Sequence, residues 1–388
     1  MVTEKMVSVF LRALQNIQYG SMAVTLPNGQ THHYQGTKPG PQAIIQIHDH
    51  CVVKNLILQG DIGFAEDYRA GHWDSPDIAA LIEVCLRNAT ALHAYIYGNR
   101  LRQMLARFAY RLMPNNKRGS RKNIQAHYDL GNAFYALWLD PSMTYSSALY
   151  AHENQDLTQA QQNKYHRIWQ QLGEDPQHIL EIGCGWGGFA EHACQNNAQR
   201  ITGITLSPAQ HQYAGQRLAA QTQADIQLTD YRDVQGRYDA IVSIEMFEAV
   251  GERYWRTYFD KIKALLTRKG QAVIQTITID EAHFADYRRS GDAIRSYIFP
   301  GGMLPSPERF EHNARQAGLR LINRHAFGQD YARTLLSWLD RFDAQTAAVQ
   351  AQSFDQPFIR LWRFYLAFCA GAFAAERTSV MQATLCHA

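Results

Sequence analysis

The pattern of apolar and polar positions changes character about a third of the way along the chain. Before residue 95 or so, short apolar runs are broken by turn residues. Val24-Thr-Leu-Pro-Asn-Gly-Gln reads as strand, turn, strand, because Asn-Gly favours a tight hairpin turn. Ala43-Ile-Ile-Gln-Ile-His and Val52-Val-Lys-Asn-Leu-Ile-Leu read as further strands. Asp77–Leu86 is amphipathic and helical. So is Arg100–Leu112, where Leu101, Met104, Leu105, Phe108 and Leu112 recur at helical spacing. Pro114-Asn-Asn-Lys-Arg-Gly-Ser-Arg-Lys combines proline, glycine and charge, and reads as a linker. Beyond it, strands and helix-length segments alternate, the signature of an α/β unit. The candidate strands are His178–Ile182, Arg200–Thr205, Asp225–Leu228, Tyr238–Ile244 and Gln271–Ile279. Between them, Ser207–Ala220 has an N-capping serine with Pro208 at the first helical position. A chain of 388 residues is too long for one ordinary core. The expected division is a small N-terminal α+β domain over 1–113, a linker over 114–123, and an α/β domain over 124–388.

Composition narrows the setting. No run of 18 apolar residues occurs, so no membrane-spanning helix is expected, and the N-terminus does not read as a signal peptide. The six cysteines are scattered without a CxxC pair, which favours reduced thiols in the cytoplasm and no metal site. Net charge is only +3, but no acid stands between Glu83 and Asp129. That span holds Arg87, Arg100, Arg102, Arg107, Arg111, Lys117, Arg118, Arg121 and Lys122. Basic helices often just carry a solvated face, yet the missing acids favour an anionic partner. No nucleic-acid-binding module is present.

The densest chemical signal is Ile179-Leu-Glu-Ile-Gly-Cys-Gly-Trp-Gly187. A buried-strand run enters a Gly-x-Gly-x-Gly turn, and a helix-compatible stretch follows. Such glycines permit positive φ and close backbone approach to a ligand. The spacing differs from the dinucleotide fingerprint and looks like the S-adenosylmethionine site of class I methyltransferases. The next strand ends Gly203-Ile-Thr-Leu-Ser-Pro-Ala-Gln210, without the acid that often holds ribose hydroxyls. Thr205 and Gln210 are the nearest groups suited to that task.

A series of motifs then resembles the cyclopropane-fatty-acyl-phospholipid synthase family, which includes the mycolic acid cyclopropane synthases. They are His127-Tyr-Asp-Leu-Gly-Asn, Thr144-Tyr-Ser-Ser, Glu181-Ile-Gly-Cys-Gly-Trp-Gly-Gly, Gly203-Ile-Thr-Leu-Ser, Asp230-Tyr-Arg-Asp and Met246-Phe-Glu-Ala-Val-Gly. Tyr297-Ile-Phe-Pro-Gly-Gly-Met-Leu-Pro-Ser, Phe327-Gly-Gln-Asp-Tyr and Phe364-Tyr-Leu-Ala-Phe-Cys-Ala-Gly-Ala-Phe complete the series. They run in family order over roughly residues 50 to 375. The resemblance implies a Rossmann-like mixed sheet of seven strands with helices on both faces. It implies transfer of a methyl group from S-adenosylmethionine to the double bond of an unsaturated acyl chain, and then proton loss that closes a cyclopropane ring. A bicarbonate ion is implied as the proton acceptor. Tyr145, Ser146, Gly183, Gly185, Trp186, Thr205, Leu206, Gln210 and Tyr231 are implied to contact the cofactor. Glu248, Tyr331 and the backbone of Ile277 are implied to line the anion site.

Two positions of that site depart from the family pattern. Ser147 stands where many members carry cysteine, and Gln275 where they carry histidine. Serine keeps a donor to an anion; glutamine keeps an N–H but never becomes cationic. Glu248 follows the strand Tyr238–Ile244, at the edge where ligands of open α/β sheets bind. Glu245 competes with it, against a reading as a solvated or capping acid. His127 and His192 read as structural, and Trp362, Phe364, Tyr365, Phe368 and Phe373 as core or as the wall of an acyl tunnel. The implied substrate makes an anionic bilayer the partner of segment 87–122, so the enzyme is expected at the inner face of the membrane, with a homodimer allowed. Alternatives are methyl- or methylene-branched products, an O- or N-methyltransferase for a small metabolite, and a non-catalytic lipid binder.

Overall fold

The computed structural model describes residues 4–97 and 130–388. The implied linker, His127 and all of the basic segment beyond Tyr97 lie outside the described residues. The chain forms two compact units. One comprises Met1–Leu112 with Ala285–Pro300 and Leu335–Arg377. The other comprises Met113–Phe284, Gly301–Thr334 and Thr378–Ala388. Two stretches beyond residue 124, counted with the α/β domain from the sequence, thus belong to the first unit.

The first unit holds a four-stranded sheet in the order β2-β1-β3-β4, with β1 Tyr19–Thr25, β2 Thr31–Gln35, β3 Lys38–Ile47 and β4 Trp73–Asp74. The β1–β2 hairpin turns at Asn28-Gly29, where the Gly29 N–H donates to the Leu26 carbonyl. Val52–Leu58 is not a strand: it lies within the helix Cys51–Gln59. Its apolar residues fall in pairs, Val52-Val53 and Leu56-Ile57, which is helical spacing rather than alternation. The Asp49 carboxylate accepts from the Cys51 N–H at the helix start. In helix Gln356–Ala374, Trp362, Phe364, Tyr365 and Phe373 are buried, and Phe358 and Phe368 partly so. Phe364 meets the rings of Phe64, Tyr68 and Trp73. Gly371 lets this helix lie on Ile78–Arg87, for a Cβ there would sit 2.6 Å from the Ala79 carbonyl oxygen.

The second unit is built on a seven-stranded mixed sheet, in the order β10-β11-β9-β8-β5-β6-β7. The strands are β5 Ile179–Ile182, β6 Ile201–Thr205, β7 Ala224–Leu228, β8 Tyr238–Ile244, β9 Leu266–Ile279, β10 Leu319–Ala326 and β11 Thr378–His387. β5 to β9 are mutually parallel, and β11 runs antiparallel to both β9 and β10. Ile168, Phe189, Ala193, Ile201, Val242 and Val273 share one core, which fastens the helices Leu157–Gln170 and Gly188–Gln195 to the sheet. With parallel strands so fixed, the C-terminal ends of β5, β6, β8 and β9 open on one edge, where ligands of such sheets bind.

Candidate functional site: a cofactor cradle beside a carboxylate cage

The cradle begins where β5 ends. Gly183, Gly185 and Gly187 have φ of 83°, 52° and 84°, a conformation that costs other residues. A Cβ at Gly185 would meet nothing within 4 Å, so the backbone there faces open space. One at Gly183 would press on Met246 at 3.0 Å. An aromatic group closes around the turn. Tyr135 lies 5.0 Å from Trp186 and 5.4 Å from Tyr145, whose ring also meets Trp138 edge-on. Asn132 accepts from the Trp186 indole N–H at 2.8 Å and donates to the Ala209 carbonyl at 3.4 Å. It thereby ties the motif before Thr144-Tyr-Ser-Ser to the glycine turn and to the turn after β6.

At the end of β6, Thr205 Oγ1 donates to Gln210 Oε1 at 2.9 Å and accepts from the Ser207 N–H at 3.1 Å. Both side chains are buried, and Ser207 caps the helix Pro208–Arg217 as expected. Leu206 lies beside them, partly buried. Tyr231 packs edge-on against Tyr258 at 5.5 Å, and burial pushes its phenol up to about 12. Ser146 accepts from the Lys164 ammonium at 2.6 Å, and its carbonyl takes the Gln161 amide at 3.0 Å. An open backbone cradle, convergent hydroxyl and amide groups and an aromatic wall suit a nucleoside with a charged sulfonium, so these residues fit S-adenosylmethionine.

The cage lies at the ends of β8 and β9. Glu245 is its centre; it is no helix cap, and although the residue is partly exposed its carboxylate is held by protein donors. Its Oε1 accepts from the Ser147 N–H and from Gln275 Nε2, both at 2.8 Å. Its Oε2 accepts from the Tyr331 hydroxyl at 2.6 Å. Burial pushes the Glu245 carboxyl up, while these donors and the charge of Lys164 pull it back down. Lys164 is itself fully buried, which lowers its ammonium to about 7 against the pull of Glu245, Asp140 and Glu181.

Glu248 has a separate set of partners. Its Oε1 accepts from the Ile277 N–H at 2.5 Å and from Thr276 Oγ1 at 3.0 Å. Its Oε2 is buried without a hydrogen-bond partner among the described residues. Burial, and then the charge of Glu245, push this carboxyl up to about 8.

Gln275 is locked from behind. β9 and β11 place Gln275 opposite Gln382. Arg167 donates to Gln382 Oε1 at 2.7 Å, which turns the Gln382 amide N–H onto Gln275 Oε1 at 3.0 Å. The Gln275 N–H must then face Glu245. Lys164, Arg167, Thr276 and Gln382 carry no local sequence signal, since lone polar residues in a helix or strand read as solvated. Only the pairing of β9 with β11 reveals them. His192 is structural: it bonds to Gln162 at 3.0 Å beside Tyr165, and burial lowers its ring to about 4.

The seven-stranded sheet, with its glycine turn at the C-terminal end of β5, defines a class I methyltransferase α/β fold. The model of the mycolic acid cyclopropane synthetase family matches residues 115–383, and the chain belongs to that family. It is 35% identical over 346 residues to tuberculostearic acid methyltransferase UfaA1 of Mycobacterium tuberculosis, covering 86% of this chain and 81% of the relative. It is 32% identical over 334 residues to the cyclopropane-fatty-acyl-phospholipid synthase of Escherichia coli, covering 85% and 84%. The solved mycolic acid cyclopropane synthase CmaA1, complexed with S-adenosylhomocysteine and CTAB, superposes with a TM-score of 0.62 at 29% identity, over 68% of this chain and 97% of that one. The enzyme is an S-adenosylmethionine-dependent methyltransferase that modifies lipids.

Proposed function

We propose that this enzyme methylates the double bond of unsaturated acyl chains in phospholipids and closes the product to a cyclopropane ring. The observation that carries the reading is the pair of sites on neighbouring strand ends, a sulfonium cradle beside a cage of carboxylates. Bound S-adenosylmethionine supplies the methyl group, and the alkene carbon next to the new bond becomes cationic. Glu245 and Glu248 place negative charge, or dipoles, where that cation develops, which is where electrostatic stabilisation has most effect. The resemblance assigns an added bicarbonate as proton acceptor, on donors that Glu245 and Glu248 engage here.

The likeness to a tuberculostearic acid methyltransferase favours a second product, a methyl-branched chain. Purified enzyme, S-adenosylmethionine and vesicles of unsaturated phospholipid decide between them. Mass spectrometry of the released fatty acids is expected to show cyclopropane chains. Methyl- or methylene-branched chains would replace that reading, and methylation of only small polar amines or alcohols would overturn both.

Access to the substrate is assigned to the basic segment 87–122, docking on an anionic bilayer. Among the described residues no helix is long and apolar enough to cross a membrane. Each basic residue near such a surface contributes up to about 1 kcal/mol, weakened by salt. Changing Arg107, Arg111, Lys117 and Arg118 to Gln is expected to weaken binding to anionic vesicles, leaving cofactor affinity unchanged. Undiminished vesicle binding would remove the segment from this role.

A further inference from the structure

We infer that Glu245 is the proton acceptor of this site, a carboxylate built into the chain in place of an added anion. The inference rests on the proposed lipid reaction and names the base for its last step. Three of the residues that the resemblance assigns to an anion converge on the Glu245 carboxylate: Gln275 and Tyr331 by their side chains, and Ser147 by its backbone N–H, its hydroxyl donating instead to the Ala148 carbonyl. The fourth, the Ile277 N–H, is bonded to Glu248. A small ion placed on these donors would have to displace a side chain already held by them.

Three further observations point the same way. Glu245 has a φ of 51°, a left-handed conformation that is unfavourable for a non-glycine residue. Such strain persists where surrounding contacts over-determine it, and it clusters at active sites. Second, the Arg167–Gln382–Gln275 chain fixes the Gln275 amide so that it presents N–H, not oxygen, to Glu245. Glutamine therefore gives this carboxylate a neutral donor where an imidazolium would neutralise it outright. Third, a carboxylate offers about four acceptor positions. Among the described residues two donors occupy Oε1 and one occupies Oε2, which leaves Oε2 a lone pair for a proton. Glu245 is only partly buried as a residue, so it borders open space.

In the assigned step, that Oε2 lone pair takes a proton from the newly added methyl group. The released C–H electron pair closes the third ring bond on the cationic carbon. The lipid leaves neutral, and the protonated Glu245 returns its proton to water. Tyr331, Gln275 and the Ser147 N–H position the carboxylate, and Lys164 and Glu248 set the charge around it.

The test compares the wild type with Glu245→Gln and Glu245→Gly. Glycine takes a φ of 51° without strain, so Glu245→Gly keeps the fold while emptying the cage. Wild-type cyclopropane formation is expected to be the same in bicarbonate-free and bicarbonate-supplemented buffer. Glu245→Gln should lose about a hundredfold or more in rate, the scale of a missing general base. Glu245→Gly should be similarly slow, and then recover saturably with added bicarbonate or formate. Calorimetry with S-adenosylmethionine should give wild-type affinity for both variants, showing that each is folded. A readout independent of lipid chemistry is binding of carbon-13 bicarbonate by NMR, expected for Glu245→Gly and not for the wild type. Saturable bicarbonate binding by the wild type, a bicarbonate requirement, or an undiminished Glu245→Gln would overturn the inference. A wild type that forms no lipid product contradicts the proposed function, and the NMR comparison still decides what fills the cage.

Discussion

The turn after β5 and the cage after β8 stand on neighbouring strands of one sheet, yet they are made from different material. The turn is backbone. Its three glycines hold positive φ, and at Gly185 the main chain faces open space. The cage is side chain. Ser147, Gln275, Tyr331 and Glu245 arrive from a loop, a strand, a helix and a strand end, and Gln382 braces them from a fifth segment. A backbone site tolerates sequence change except at its glycines. A side-chain cage can change its chemistry by exchanging one residue, and here it holds a glutamate where the resemblance places an ion.

That contrast can be broken first at the turn. Gly185→Val puts a branched side chain into the open space and forces it to a φ of 52°. Cofactor affinity should fall about a hundredfold, the size of effect that a misplacement of about 1 Å produces. Calorimetry giving wild-type affinity would remove the turn from the cofactor site. In the cage, Tyr331→Phe removes the hydroxyl bond to Glu245 Oε2 while keeping the ring. A hydrogen bond to a charged group contributes about 1.5–3 kcal/mol, so turnover should slow about tenfold or more. Cofactor affinity should hold; a parallel fall in both would merge the two sites into one.

A smaller effect is expected one layer back. Gln382→Leu leaves the Gln275 carbonyl unanchored, so its amide can flip and present oxygen to Glu245. The bond lost is neutral, about 0.5–1.5 kcal/mol, and turnover should fall a few-fold. Gln382→Glu should slow it at least as much, since the acid cannot donate to Gln275 when ionised. Activity unchanged in both would show that Gln275 is oriented without its partner on β11.

Protonation separates the two glutamates. The Glu248 carboxyl is raised from 4.5 to about 8. Between those values the folded protein keeps a proton that the unfolded chain releases, so this group's contribution to stability declines as pH rises through the window. Glu248→Gln should remove that decline. Urea midpoints measured from pH 5 to pH 8 are expected to fall less with pH in the variant; identical slopes would show Glu248 ionised throughout.

The two regions also differ in how they announce themselves. The glycine turn, the Ser207 cap and the parallel strands follow from local pattern, because backbone conformation is decided by near neighbours. Ser147, Gln275 and Tyr331 became visible through resemblance alone, and no periodicity marks them. Glu245 reads from sequence either as a rival to Glu248 or as a solvated or capping acid, and nothing local decides between them. Its role depends on partners far apart in the chain, which only the folded sheet brings together. β11 escaped for a related reason: Gln382 and Thr384 are polar but wholly buried, so the strand lacks an apolar signature. The helix Cys51–Gln59 was misread because β-branched residues outweighed paired apolar spacing.

If Glu245 is the base, the transferred carbon loses a proton inside the cage. S-adenosylmethionine carrying a fully deuterated methyl group tests it directly, with unsaturated phospholipid vesicles as acceptor. The added carbon is expected to keep two of its three deuterium atoms, in a ring, with the rate lowered in Glu245→Gln. An added carbon that keeps all three, as a methyl branch, would contradict it.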